Sequence, residues 1–153
     1  MTHSRGDDWA RVSDQSGALE QRSNVLALAV NPDRREEWYV AVFQKNRGRV
    51  LLTANSGQTF REIYVTPAER YGVFDLYYDR RGRSVVIATG QGGLLESADQ
   101  GRTWRVVRWF ADGLTRLLVD PSNPSVWYVA TPRGNLFRTL DRAASWLDVT
   151  GGF

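Results

Sequence analysis

Ser97-Ala98-Asp99-Gln100-Gly101-Arg102-Thr103-Trp104 is the stretch on which the fold turns, because the same phrase recurs along the chain. A second copy reads Thr53-Ala54-Asn55-Ser56-Gly57-Gln58-Thr59-Phe60, and a third Thr139-Leu140-Asp141-Arg142-Ala143-Ala144-Ser145-Trp146. A worn copy opens the chain as Thr2-His3-Ser4-Arg5-Gly6-Asp7-Asp8-Trp9. The grammar is hydroxyl, any, Asp or Asn, any, Gly, any, hydroxyl, aromatic. The aromatic ends stand at 9, 60, 104 and 146, so successive copies lie 51, 44 and 42 residues apart. A repeat with a period in the 40s means stacked supersecondary units that share a continuous core.

The chemistry of the phrase is that of a turn. Asn55, Asp99 and Asp141 offer oxygens to the backbone ahead of them. Gly57 and Gly101 reach positive φ without steric cost, and Ala143 is expected to fit that conformation less well. The hydroxyls of Thr59, Thr103 and Ser145 can satisfy the remaining turn groups. Phe60, Trp104 and Trp146 then open the next strand and bury a large apolar area. On this reading Asp99 accepts backbone hydrogen bonds within its own turn, Trp104 and Trp146 are buried, and the carboxylates are turn-holders, not acids of catalysis or metal ligands.

Between the phrases each repeat has one pattern: apolar run, polar turn, aromatic or branched run, Gly-containing loop, third run, phrase, fourth run. The first repeat runs through Val25–Val30, Trp38–Phe43, Arg49–Thr53 and Phe60–Val65. The second uses Val73–Tyr78, Ser84–Thr89, Gly93–Ser97 and Trp104–Trp109. The third uses Leu114–Val119, Val126–Thr131, Asn135–Thr139 and Trp146–Val149. Runs of this length, rich in Val, Leu, Tyr, Trp and Thr, are strands. Four antiparallel strands per radial repeat make a propeller blade. The expected fold is all-β: a β-propeller segment of three four-stranded blades, 24–70, 71–112 and 113–153. Residues 1–23 carry one N-terminal strand of a preceding blade, Trp9–Val12, and a linker. Closed propellers use about 4–8 blades. The chain therefore reads as a segment whose missing blades complete the ring, or as a homo-oligomer in which two copies make six.

These phrases resemble the Asp-box, or bacterial neuraminidase repeat, of β-propellers of the sialidase, sortilin and photosystem II assembly-factor kinds. The three better copies and their flanks cover most of residues 24–150. The resemblance implies that the box turns lie on one side of the propeller and the ligand-binding loops on the other. It also favours an extracytoplasmic setting, although Met1–Asp8 lacks the apolar core of a secretory signal. Lys45, Arg47, Arg70 and Arg133 would then form an anion-attracting rim on the ligand side, with Tyr71 and Trp109 as stacking surface. Filling contacts between blades is the alternative role for these side chains. Aligned first strands place Ala27, Asp75 and Arg116 in one column, where Asp75 and Arg116 can pair across the channel.

Bulk properties narrow the function classes. The chain has 153 residues, 42% hydrophobic, enough for one folded domain. Cys is absent and His3 is the sole histidine, which removes thiol chemistry and leaves no expected metal site or cofactor. No apolar run approaches the ~20 residues of a membrane helix. The net charge of +3 is spread over every repeat, often beside acids as in Asp33-Arg34-Arg35-Glu36-Glu37, so no nucleic-acid partner is expected. The Arg-Ile-Pro segment that sialidases carry is missing, and the nearest Tyr–Glu neighbours, Tyr71 and Glu69, form no supported catalytic set. The reading is a non-catalytic binding or assembly scaffold for a protein or glycan. The alternative is a piece of a sialidase-like glycoside hydrolase whose catalytic blades lie outside the chain.

Overall fold

The computed structural model describes residue 6 and residues 9–151, so most of the opening copy of the phrase lies outside the described residues. Three four-stranded antiparallel sheets follow one another along the chain, each a meander in sequence order. The first holds β1 (Asn24–Val30), β2 (Trp38–Gln44), β3 (Arg47–Thr53) and β4 (Arg61–Val65). The second holds β5 (Val73–Asp79), β6 (Ser84–Thr89), β7 (Gly93–Ser97) and β8 (Arg105–Trp109). The third holds β9 (Arg116–Val119), β10 (Trp127–Ala130), β11 (Leu136–Thr139) and β12 (Leu147–Asp148). These are the three blades. The β2–β3 hairpin closes on Lys45 and Asn46 at φ of 50° and 60°, the pair of left-handed residues that a twist-matched two-residue turn needs.

The central strands of blades one and two are apolar on both sides because each of these blades is packed on both faces. Side chains alternate faces along a strand, so Tyr39 and Ala41 pack toward the second blade while Val40 and Val42 point away from it. One core joins blades one and two through Tyr39, Ala41, Val50, Leu52 and Ile63 against Val73, Leu76, Val85, Ile87 and Leu95. The next joins blades two and three through Val86, Ala88 and Leu94 against Leu114, Leu117, Trp127 and Val129. On the other face of blade one, Val40, Val42, Leu51 and Phe60 are covered by Val12, Ala18 and Leu19.

That cover replaces the expected strand. Residues 9–23 contain no strand; in particular Trp9–Val12 does not form the outer strand of a preceding blade. Asp14 draws the segment into local turns, accepting from the amides of Ser16 and Leu19 at 2.8 Å each. Such side-chain bonds compete with a ladder. Ser16 Oγ donates to the carbonyl of Phe60 and accepts from its amide, and the Gln15 amide donates to Gln58. Gln44 holds the far end, donating to Ala18 and accepting from the Ser23 hydroxyl. The segment is a strap across blade one.

The repeated phrase folds the same way three times. In blade two, Ser97 Oγ donates to Asp99 Oδ1 and accepts from the Gly101 amide, both at 2.8 Å. Asp99 accepts from the Thr103 amide at 2.9 Å and hydroxyl at 2.6 Å. Thr53, Asn55, Gly57 and Thr59 repeat the clasp with an amide in place of the carboxylate. Thr139, Asp141, Ala143 and Ser145 repeat it in blade three. Positions four and five are left-handed in every copy: Ser56 and Gly57, Gln100 and Gly101, Arg142 and Ala143. Ala143 thus adopts φ of 71° despite its Cβ, because its methyl is buried in the core between blades two and three.

The clasps of blades two and three also fasten each blade to the one before. An added Cβ on Gly101 would stand 2.4 Å from Cβ of Ile63 on β4. Trp104 donates from Nε1 to the Ile63 carbonyl at 2.9 Å and meets the Tyr64 ring edge-on at 5.2 Å between centroids. Trp146 lies edge-on to Phe110, just beyond β8, at 5.3 Å. Trp104 and Trp146 are therefore half-buried between blades, less enclosed than the phrase alone suggests.

Two outcomes follow from the clasp. Gly101→Ala, strained at φ of 83° and driven into Ile63, should cost about 2 kcal/mol or more. Ala143→Gly, at the same position of blade three, trades strain for a lost methyl and should stay within about 1 kcal/mol; urea unfolding compares them. Asp99 is held at a pKa of about 2, against an ordinary 3.8, by the Thr103 hydroxyl and amide, and Asp141 at about 2 by Ser145 and Thr139. A depressed folded pKa means the unfolded chain binds more protons between these values. This contribution is complete above about pH 4 and lost as pH falls toward 2. The Asp99→Asn, Asp141→Asn double variant should flatten that part of the melting-temperature profile, since Asn55 closes its own clasp without a charge.

Candidate binding face

The meander topology puts the β2–β3, β6–β7 and β10–β11 turns and the blade-to-blade connections on the side opposite the clasps. Backbone hydrogen bonds lace these loops together: Arg70 to Asn46 at 2.8 Å, Gly48 to Tyr71 at 2.7 Å, Gly90 to Gly72 and Phe110 to Gly92 at 2.9 Å each. Such close approach leaves no room for side chains. A Cβ on Gly48 would lie 2.5 Å from the Val73 nitrogen, and one on Gly113 would lie 2.2 Å from the Gly90 oxygen. The surface is a rigid, glycine-floored plate.

The rim residues fall into two groups. Lys45, Arg47, Arg70 and Tyr71 gather where blades one and two join, tied by the Arg70–Asn46 and Gly48–Tyr71 bonds. Trp109 and Arg133 stand at the junction of blades two and three. Several of the charges are already engaged. Lys45 pairs with Glu20 of the strap at 2.6 Å, and Arg133 pairs with Asp112 at 3.4 Å. Arg47 donates to the carbonyls of Thr66 and Pro67, bracing the connection between blades. Arg70 is exposed, in a left-handed backbone conformation. Tyr71 and Trp109 remain 42% and 56% exposed, and the Trp109 ring rests on Gly93, where a Cβ would meet it at 2.8 Å. Arg108, which the sequence did not single out, lies 6.0 Å over the Phe110 ring. Its signal was only the alternation of β8.

The acids that burial makes chemically interesting lie elsewhere and join blades. Glu37, 2% exposed, accepts from Asn31, Tyr39 and Gln100, and Arg34 pairs with it at 3.2 Å. Asp79 and Glu96 are both held by Arg142 of the next clasp, and Glu96 also by Ser84 and Arg105. The one Tyr–Glu hydrogen bond among the described residues is Tyr39 to Glu37 at 2.9 Å, not Tyr71 to Glu69; Glu69 binds Asn46 instead. Burial, with the bond to Glu37 and its charge, pushes the Tyr39 phenol well above its ordinary range, the opposite of nucleophile activation. In the channel, Asp75 does not pair with Arg116. It accepts from the Leu117 amide of blade three at 2.9 Å, because that backbone donor is nearer to hand than the exposed guanidinium. No group of three or more His, Asp or Glu side chains is placed to hold a metal among the described residues, and no helix is long and apolar enough to cross a membrane.

No family model matches the chain, and no curated protein matches it. Solved structures do. A GH74 xyloglucanase from Xanthomonas campestris aligns over 83% of this chain and 23% of its own, at 22% identity and a TM-score of 0.64. YCF48 from Cyanidioschyzon merolae aligns over 86% of this chain and 38% of its own, at 14% identity and a TM-score of 0.62. A nidogen/laminin complex chain aligns over 83% of this chain and 48% of its own, at 13% identity and a TM-score of 0.65. The chain thus spans less than half of each of these proteins. At such identities the likeness is one of fold, and with three stacked four-stranded meanders it places the chain among the β-propellers.

Proposed function

We propose that this chain is a non-catalytic propeller scaffold that presents its loop face to a protein or glycan partner, its clasps being Asp-boxes of the bacterial neuraminidase repeat. The observation that supports it is the division of labour among polar groups. The buried acids Glu37, Asp79 and Glu96 and the buried phenol of Tyr39 are all bound up in joining blades. Tyr71, Trp109 and Arg70 stand exposed over a rigid glycine floor. Aromatic faces with a polar handle suit extended peptides and sugar rings alike. Among the similar structures, one is YCF48 bound to D1 peptide and one is the nidogen/laminin complex, which favours a protein partner.

The competing reading, part of a glycoside hydrolase, draws on the GH74 structures. Hydrolysis of a glycosidic bond needs two carboxyl groups facing each other across a substrate cleft. Of the loop-face acids, Glu20, Glu69 and Asp112 are engaged by Lys45, Asn46 and Arg133 in turn.

The test is binding of a displayed peptide library and of xyloglucan, with reducing-end release followed in parallel. Retention of peptide ligands should disappear in the Tyr71→Ala, Trp109→Ala double variant while its melting temperature holds. Binding should weaken as salt rises, because Arg70 is exposed and screened over about 8 Å at physiological ionic strength. Reducing ends released from xyloglucan by the purified chain would overturn the non-catalytic reading. Peptide binding untouched by the double variant would move the site off this face.

A further inference from the structure

On the clasp side, the two seams between blades share one plan and are filled differently. At the second seam Arg142, the fourth residue of its clasp, reaches back to Asp79 and Glu96, which are buried. Its guanidinium leaves no room for a Cβ on Gly82 beside it. At the first seam the fourth residue is Gln100, shorter and uncharged. Its Nε2 donates to Glu37 at 2.9 Å, and a cleft of about 350 Å³ stays open between blades one and two. Arg34 and Glu37 of the β1–β2 connection, Tyr39, Tyr78, Arg83 and Gln100 line it. Both walls belong to complete four-stranded blades, and the volume is that of a small-molecule site.

The unused polar groups in this cleft are mainly donors. Glu37 is saturated: Asn31 and Tyr39 donate to Oε1, Gln100 and Arg34 to Oε2. Asp33, half exposed, pairs with Arg80. Tyr78 stacks on Tyr39 at 5.9 Å between centroids. Among the described residues, neither the Tyr78 hydroxyl nor the Arg83 guanidinium has a hydrogen-bond or ion-pair partner. Burial, with the charges of Glu37 and Asp33, lifts the Tyr78 phenol above its ordinary range, so the hydroxyl keeps a proton to donate. A neutral donor beside an unmatched guanidinium suits an anion. With two carboxylates already close by, a single negative charge is repelled less than a double one.

We propose that the clasp-side cleft between blades one and two binds the carboxylate of an organic acid, through the Tyr78 hydroxyl and the Arg83 guanidinium. The carboxylate can belong to a free acid or to an acidic side chain of a peptide. The site lies on the side opposite the loop face and does not depend on the partner proposed there.

Amide chemical shifts of the isotope-labelled chain, titrated to about 20 mM ligand, test it. The probes are sodium benzoate, a blocked Gly-Glu-Gly peptide, sodium phosphate and benzylamine. Saturable shifts around Tyr78, Arg83 and Gln100 are expected with a carboxylate, weaker ones with phosphate and none with benzylamine. Tighter binding of benzoate identifies a free acid as the source, and tighter binding of the peptide an acidic side chain. Tyr78→Phe and Arg83→Gln should each weaken binding about tenfold at an unchanged melting temperature, since neither group holds another residue. Arg22→Gln removes the same charge from the exposed strap and should leave the affinity intact. Gln100→Arg places a guanidinium where Arg142 lies at the other seam, so it should close the cleft and abolish binding although the net charge rises. If Gln100→Arg strengthens binding and Arg22→Gln weakens it, the attraction is to surface charge alone and the proposal falls. It falls equally if no carboxylate gives saturable shifts at this seam, or if benzylamine binds there as well as benzoate does.

Discussion

The structure depends on a short clasp: a hydroxyl at the end of a blade's third strand and an Asp or Asn two residues on. Together they hold two successive left-handed residues in place. Those two residues set the direction in which the chain leaves the turn. They press the fifth residue, Gly101 or Ala143, toward the preceding blade and swing the closing tryptophan across it. In this chain the turn is thus a joint between blades as well as a link between strands. The φ values at all three copies agree, although the residues there are Ser56-Gly57, Gln100-Gly101 and Arg142-Ala143. Side-chain hydrogen bonds, not glycine alone, enforce the conformation.

The fourth position of the clasp extends this logic to charge. Gln100 reaches back to Glu37 of blade one, and Arg142 reaches back to Asp79 and Glu96 of blade two. Buried carboxylates are expensive unless paired and hydrogen-bonded, so these acids mark the seams. Their partners arrive with the next blade. Removing Arg142 would take the guanidinium from buried Asp79 and leave Glu96 to Ser84 and Arg105, whereas the exposed pairs Arg80–Asp33 and Arg133–Asp112 carry little stability.

Much of this was legible in the sequence because the repeats report it three times over. Strand positions, the meander order and the role of Asp99 follow from periodicity and turn chemistry, which are local. What was illegible is non-local. Residues 9–23 had the composition of a strand and a linker, but Asp14, Ser16 and Gln44 tie them down as a strap, through partners as far away as Phe60. The pairing of Asp75 with the Leu117 amide instead of Arg116 depends on which group the blade stagger brings near, and spacing along one strand does not encode that. Lys45, Arg47, Arg70 and Arg133 lie on the side opposite the clasps, as the strand order requires. That Arg47 and Lys45 are consumed there by Thr66, Pro67 and Glu20 is a matter of loop packing.

Part of the chain's positive charge is spent on pairing. Arg34, Arg49, Arg80, Arg105, Arg133 and Arg142 each pair with a carboxylate, and they are distributed over all three blades. Arg80 and Arg142 use that charge where blades meet, while Arg70, Arg108 and Arg116 stay exposed. Tyr71 and Trp109 sit over the glycine floor. Specificity on such surfaces comes from shape held rigid beneath the contact, and that rigidity is what the laced loops and the stacked blades provide.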